Sequence, residues 1–121
     1  MATRNLTTTD FSEVTGADGI VLVDFWAAWC GPCVRFAPVY ERVSQRHPDI
    51  VFAKVDTEAE VAIAAEFNIQ SIPTIMAIRD GVIVFAQAGA LPEQAVESLI
   101  SQVRALDMED VRRRAEEAQA A

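Results

Sequence analysis

The feature that most constrains this chain is the segment Trp-Cys-Gly-Pro-Cys at residues 29–33, which contains both of its cysteines. Before it, residues 20–27 form a β-branched and aromatic run without polar alternation, as expected of a strand buried on both faces of a sheet. After it, residues 33–46 place apolar side chains at helical spacing. The cysteines are therefore predicted to lie where a buried strand gives way to a helix.

A cysteine pair at such a junction suits thiol–disulfide exchange. The first turn of a helix has free N–H groups and a positive dipole end, which favour a thiolate over a thiol, so we expect Cys30 to be the nucleophile. Residues three apart on a helix share a face, so Cys33 can attack a mixed disulfide held on Cys30. Pro32 has a φ suited to a first helical turn and stiffens the backbone between the two sulfurs.

Two other uses of the pair agree less well with the sequence. A structural zinc site needs four ligands, whereas the chain offers two cysteines and one histidine, His47. A static disulfide would close a ring of only four residues and restrain the unfolded chain little, and such bonds are rare in intracellular proteins. We therefore predict a redox pair and no metal.

Composition and charge narrow the class of protein. With 121 residues, 51% of them hydrophobic, the chain can bury a core without covalent staples. Its polar start leads into no signal-type apolar core and no run is long enough for a membrane span, so we expect a cytoplasmic protein. A net charge of −8 argues against nucleic acid and anionic membranes as partners. Separately, we expect a monomer.

Two charged side chains interrupt predicted strands. Asp24 lies inside the run 20–27, where burial would raise the pKa of its carboxyl and make it a proton acceptor near neutrality. The alternative is an aspartate that only satisfies backbone donors at a strand end. Lys54, the only lysine, lies in a second apolar run at residues 50–56. Its ammonium either extends to an edge of the strand or reaches across a parallel neighbour to Asp24.

The rest of the chain completes an α/β pattern. Strands at 74–79 and 82–87, joined by a two-residue Asp-Gly turn, predict an antiparallel hairpin before a last amphipathic helix. The predicted order is βαβαββα, preceded by a segment that can add an edge strand. Residues 1–106 form one domain in this interpretation, and 107–121 form a charged, solvated helical extension. The alternative for the extension is a partner contact through its three consecutive arginines.

The ordered set of motifs resembles the thioredoxin family from about Leu6 to Leu106. The motifs are W-C-G-P-C after V-D-F-W-A, I-P-T opening a hairpin, and D-G followed by A-G-A-L before the last helix. The resemblance implies a thioredoxin fold, a central mixed sheet of four to five strands flanked by helices, here with a C-terminal helical extension. It also implies that Cys30 attacks, that Cys33 resolves, and that the two form a redox-active disulfide.

The resemblance assigns further residues to the site. Asp24 would move protons for Cys33, with Lys54 as its neighbour, and Trp26 would pack beside the cysteines. Pro73 would be cis and face the cysteines, and Ile72 would pair with the substrate backbone to backbone. The implied substrate-binding residues are Trp29, Gly31, Pro32, Ile72, Pro73, Gly89 and Ala90.

These features predict a protein disulfide reductase without a bound cofactor. Its partners would be disulfide-containing client proteins and an NADPH-dependent, flavin-containing thioredoxin reductase that restores the dithiol. Many family members carry a lysine directly after the second cysteine, where this chain has Val34 followed by Arg35. Two other functions stay open at this point: a thiol oxidant, and a partner subunit or holdase that uses the apolar platform without turnover.

Overall fold

The structure, a computed structural model, describes residues 2–120. In chain order its elements are β1 (Thr3–Asn5), α1 (Phe11–Gly16), β2 (Ile20–Trp26), α2 (Gly31–Arg46), β3 (Val51–Asp56), α3 (Val61–Glu66), β4 (Thr74–Arg79), β5 (Val82–Ala88), α4 (Glu93–Arg104) and α5 (Met108–Ala120). The predicted order βαβαββα is confirmed from β2 to α4, with β1 and α1 before it and α5 after it. Among these residues, no helix has the length and apolar character needed to cross a membrane.

Strand β2 lies at the centre of a five-stranded mixed sheet. The strand order is β1-β3-β2-β4-β5. Strands β1, β3 and β2 run parallel, whereas β4 is antiparallel to β2 and β5 is antiparallel to β4. Every residue of β2 except Trp26 is buried, because both faces of the sheet are covered by helices. The unbroken apolar run in the sequence thus becomes the most buried strand of the fold.

Successive side chains of β2 pack into two separate hydrophobic clusters, one on each face of the sheet. Val23 and Phe25 pack in the cluster that includes side chains of α1 and α3. Leu22 packs in the cluster on the other face, which includes side chains of α2 and α4. Because side chains alternate along a strand, Asp24 points to the same face as Leu22. The buried carboxylate is therefore on the side of the sheet covered by α2, whose first turn carries the second cysteine.

The β4–β5 hairpin has the turn that its sequence predicts. Asp80 and Gly81 both have positive φ, of 52° and 81°, as a two-residue type I′ turn requires. The Asp80 carboxylate accepts a hydrogen bond from the Gly19 N–H at 2.8 Å, which links the turn to the loop before β2. The turn is thus fixed at the end of the sheet away from the cysteines.

The C-terminal extension is helical and its first turn is docked. The carboxylate of Asp107 accepts hydrogen bonds from two backbone N–H groups at the start of α5. Met108 is buried, and Arg112 forms an ion pair of 3.5 Å with Asp80. Most of the remaining helix is exposed. The prediction of a solvated helix is confirmed for this later part, whereas its first turn packs on the domain.

Candidate active site

The two cysteines are joined by a disulfide at the start of α2. Their Cα atoms are 5.2 Å apart, and their residues are 4% and 2% exposed. Cys30 is the N-cap residue of α2, and its Sγ accepts a hydrogen bond from the Cys33 N–H at 3.2 Å. This donor would face the sulfur of a reduced Cys30 as well. A helix N–H aimed at a sulfur favours the thiolate over the neutral thiol.

The loop before β4 meets the disulfide. The Ile72–Pro73 peptide bond is cis, as the resemblance implied. The Ile72 carbonyl oxygen lies 3.7 Å from Cys30 Sγ, and the Ile72 side chain packs against the cysteine pair. On the other side of this loop, the Pro73 carbonyl accepts a hydrogen bond from the Gly89 N–H at 2.7 Å. The loop before β4 therefore contacts the disulfide through Ile72 and the loop after β5 through Pro73.

Trp29 presents a large aromatic surface next to Cys30. It is 70% exposed, more than any other large apolar side chain in residues 2–120. Its indole N–H donates a hydrogen bond to the Glu58 carboxylate at 2.6 Å. The sequence gives no signal for this contact, because Glu58 belongs to the loop after β3 and no local pattern links that loop to Trp29. An exposed ring held in place by one polar contact offers a preformed apolar surface.

The predicted substrate-binding residues differ in exposure. Trp29 and the residues between the cysteines are exposed, Ile72 is half-buried and Pro73 is buried. Gly89 and Ala90 are exposed in the loop between β5 and α4. The hydrogen bond from Gly89 places this loop beside Pro73, and Ala90 follows on the surface. Of the predicted set outside the cysteine motif, Ile72 contacts the disulfide, and Gly89 is linked to it through Pro73.

Asp24 is a buried carboxyl without a partner. It is 0% exposed, and neither carboxylate oxygen has a hydrogen-bond partner among the described residues. Burial raises the pKa of Asp24 from 3.8 to about 7, and the positive charge of Lys54 opposes part of that rise. The alternative of an aspartate that satisfies backbone donors is therefore wrong. The structure instead places an acid that titrates near neutrality beneath α2.

Lys54 contacts an aromatic ring and not the carboxylate. It is the register partner of Asp24 across the parallel β2–β3 pair. Its Nζ lies over the Trp26 ring, 4.9 Å from the centroid, in cation–π geometry. Trp26 in turn packs against the cluster formed by Ala27 and the two cysteines. Direct contact with Asp24, one of the two predicted positions for the ammonium, does not describe the structure, and the contact with Trp26 is one that the sequence did not predict.

The described residues offer no preformed metal site. Within residues 2–120, no group of three or more His, Cys, Asp or Glu side chains is arranged to hold a metal ion.

Comparison with known proteins identifies the same family across most of the chain. The family model described as Thioredoxin matches residues 2–102. A Streptomyces coelicolor protein named "Putative thioredoxin 2" is 51% identical over 119 residues, which cover 98% of this chain and 89% of that protein. A thioredoxin of Bacillus subtilis is 37% identical over 84% of this chain and 97% of its own length. The Streptomyces alignment extends through α5, whereas the family model ends within α4.

Solved structures agree with the sequence comparisons. The thioredoxin of Plasmodium falciparum superposes with a TM-score of 0.76 at 35% identity, covering 82% of this chain and 97% of that structure. A mutant thioredoxin from Halobacterium salinarum superposes with a TM-score of 0.77 at 31% identity, covering 84% of this chain and 90% of that structure. Sequence and three-dimensional structure thus point to one fold and one chemistry.

Proposed function

The chain belongs to the thioredoxin family and is a thiol–disulfide oxidoreductase, and on this premise we propose that it reduces protein disulfides by exchange through Cys30 and Cys33. One observation carries the assignment of roles: the Cys33 N–H donates to Cys30 Sγ at 3.2 Å, at the start of α2. That donor stabilises negative charge on Cys30 in preference to Cys33. Cys30 is therefore the proposed attacking sulfur.

The first proposed step joins the enzyme to its client. The Cys30 thiolate attacks one sulfur of a client disulfide, a new S–S bond forms between enzyme and client, and the client's own S–S bond breaks. The second client sulfur leaves as a thiolate and takes up a proton. Ile72, whose carbonyl lies 3.7 Å from Cys30 Sγ, is the proposed backbone partner of the client in this mixed disulfide.

The second proposed step releases the client. Cys33 loses its proton and attacks Cys30 Sγ, the mixed disulfide breaks, and the client leaves with two thiols while the enzyme keeps the Cys30–Cys33 disulfide. Asp24 is the proposed acceptor of the Cys33 proton, and its pKa of about 7 lets it take up and return a proton near neutrality. Lys54 is a positioning residue in this proposal, because its charge limits how far that pKa rises.

The proposed client surface is the exposed apolar face around the disulfide. Trp29 supplies contact area, and Ile72 supplies backbone pairing as in strand addition. The full proposed set is Trp29, Gly31, Pro32, Ile72, Pro73, Gly89 and Ala90.

We further propose how the dithiol is restored and where the chain works. A flavin-containing thioredoxin reductase that consumes NADPH returns the disulfide to two thiols, so the chain itself needs no bound cofactor. The proposed working form is a cytoplasmic monomer. Residues 1–106 are the proposed catalytic domain, and residues 107–121 are an extension outside it.

Insulin reduction tests the proposal. The wild-type chain, NADPH and a thioredoxin reductase should reduce insulin disulfides, and Cys30→Ser should abolish turnover, whereas the exposed substitution Glu116→Ala should leave it unchanged. Activity with a chemical dithiol but not with the reductase would overturn the proposed reductase partner. If neither reductant supports turnover, the proposed function is wrong and a binding role without turnover takes its place.

A further inference from the structure

We propose that Arg35 is a specificity-determining residue of this active site, where it selects client disulfides that have a carboxylate next to the attacked cysteine. The inference rests on the proposed function, because it concerns which disulfides the Cys30–Cys33 pair reduces. Three observations carry it: the position of the guanidinium, its lack of an ion pair, and the charge on the opposite flank of Cys30.

The guanidinium of Arg35 lies against the first residue of α2. Arg35 follows Gly31 by four positions, so the two share a helix face, and long side chains on a helix lean toward its N-terminus. A Cβ built on Gly31 would lie only 3.2 Å from Arg35 Nη1. The guanidinium therefore occupies the space that a side chain at position 31 would fill. Its charge is next to the residue that directly follows Cys30.

Arg35 is exposed and has no carboxylate partner. Within residues 2–120, every other arginine forms an ion pair with an aspartate or glutamate. The chain has 18 acidic residues and a net charge of −8, so carboxylates are abundant. An unpaired guanidinium against Gly31, the residue that follows the active cysteine, is therefore available to a carboxylate of another molecule. Its planar fork suits bidentate recognition of that group.

The other flank of Cys30 has the opposite charge. Trp29 precedes Cys30, and its indole donates to the Glu58 carboxylate at 2.6 Å. Glu58 forms no salt bridge with a basic side chain in the described part of the chain. A client segment with an acidic residue next to Arg35 and a basic residue next to Trp29 is attracted by both the Arg35 guanidinium and the Glu58 carboxylate. A client segment with these two residues exchanged places like charges together on both flanks and is repelled.

Two peptides of equal net charge test this inference. Each peptide is a homodimer of two identical strands joined by a disulfide between their single cysteines. In one peptide Glu precedes the cysteine and Lys follows it, and in the other Lys precedes the cysteine and Glu follows it. Because their net charges match, long-range repulsion by the acidic protein acts equally on both. We expect kcat/KM to differ by about two- to fivefold between the two orders, which is the range for an exposed ion pair. The difference should shrink at high salt.

Two substitutions isolate Arg35. Arg35→Gln should slow reduction of the preferred peptide more than that of a peptide with neutral flanks, and should bring the ratio of kcat/KM values closer to one, leaving only the contribution of Glu58. Arg42→Gln is the matched control, because Arg42 is also exposed on α2 and pairs with Glu93 at 3.0 Å. It changes the net charge equally and should leave the ratio unaltered.

The outcomes separate this inference from the function on which it rests. A ratio that is the same in the wild type and in Arg35→Gln, while the neutral peptide is reduced, would overturn the role of Arg35 and leave the reductase function standing. A wild-type chain that reduces none of the three peptides would overturn the proposed function itself.

Discussion

Lys54 lies directly beside Asp24 in the register of β2 and β3, yet it forms no salt bridge with the Asp24 carboxyl in the described structure. Its ammonium lies instead 4.9 Å from the centre of the Trp26 ring. The charge of Lys54 therefore acts on Asp24 at a distance. This arrangement leaves the pKa of Asp24 raised to about 7, since an ion pair would have lowered it further. The site thereby keeps a buried carboxyl that is only partly ionised at neutrality.

The buried Asp24 should make the stability of the protein depend on pH. Burial raises its pKa from 3.8 to about 7 in the folded state. Between these values the unfolded chain has released the proton and the folded chain has kept it, so the free energy of unfolding falls as the pH rises and levels off above about 7. Asp24→Asn should remove this slope. Its stability advantage over the wild type should grow by up to about 4 kcal/mol between about pH 4 and pH 8.

Urea unfolding of the oxidised proteins at several pH values measures this difference. Asp18→Asn, an exposed carboxylate in the loop before β2, is the control and should keep the wild-type slope. Parallel stability curves for the wild type and Asp24→Asn would show that Asp24 does not titrate with a raised pKa.

Removing the charge of Lys54 should raise the pKa of Asp24 further. Burial raises the pKa of Asp24 and the positive charge of Lys54 lowers it, so Lys54→Gln removes the lowering effect and leaves the raising one. Lys54→Arg retains a positive charge and should stay close to the wild-type value. Carbon NMR titration of the Asp24 carboxyl gives the pKa directly. A pKa that is unchanged or lower in Lys54→Gln would contradict the proposed positioning role.

Loss of Glu58 should weaken client binding through Trp29. The Glu58 carboxylate holds the indole N–H at 2.6 Å, so Glu58→Ala frees the ring to populate other rotamers. We expect kcat/KM for a neutral peptide disulfide to fall by about two- to fivefold. The NMR signal of the Trp29 indole N–H should shift at the same time. Glu66→Ala, an equal charge change on α3, should alter neither measurement.

The docked start of α5 should contribute stability but not catalysis. Met108 is 8% exposed, so Met108→Ala should lower the free energy of unfolding by about 2 kcal/mol, while Met108→Leu should cost less than about 1.5 kcal/mol. A chain ended after Leu106 also loses the ion pair of Arg112 with Asp80 and should be less stable, with insulin reduction intact. Urea unfolding and the insulin assay check both points. Loss of turnover in a folded, shortened chain would show that residues 1–106 are not the whole catalytic domain.

The parts of this fold that could be predicted from sequence are those encoded locally. The apolar run of β2 predicts a buried central strand, and the burial of Asp24 follows from its neighbours in that run. The Asp80-Gly81 pair predicts the hairpin, since few residue pairs accept positive φ at both turn positions. The cysteine spacing predicts the disulfide at a helix start.

The parts that could not be predicted depend on contacts between distant segments. Glu58 and Trp29 lie in different loops, and no periodicity links them. The direction of the Lys54 side chain depends on the register of β2 and β3 and on the position of Trp26, neither of which is a property of one segment. The cis Ile72–Pro73 bond was predicted only from the family resemblance, because most peptide bonds that precede a proline are trans.

Trapping of the mixed disulfide tests the central claim most directly. Reduced Cys33→Ser, mixed with a peptide disulfide, should accumulate a covalent adduct through Cys30, seen by intact-protein mass spectrometry, because no second sulfur can release the peptide. The wild type should release two thiols and show no lasting adduct, and Cys30→Ser should form none. An adduct that forms on Cys30→Ser as readily as on Cys33→Ser would contradict the assignment of Cys30 as the attacking sulfur.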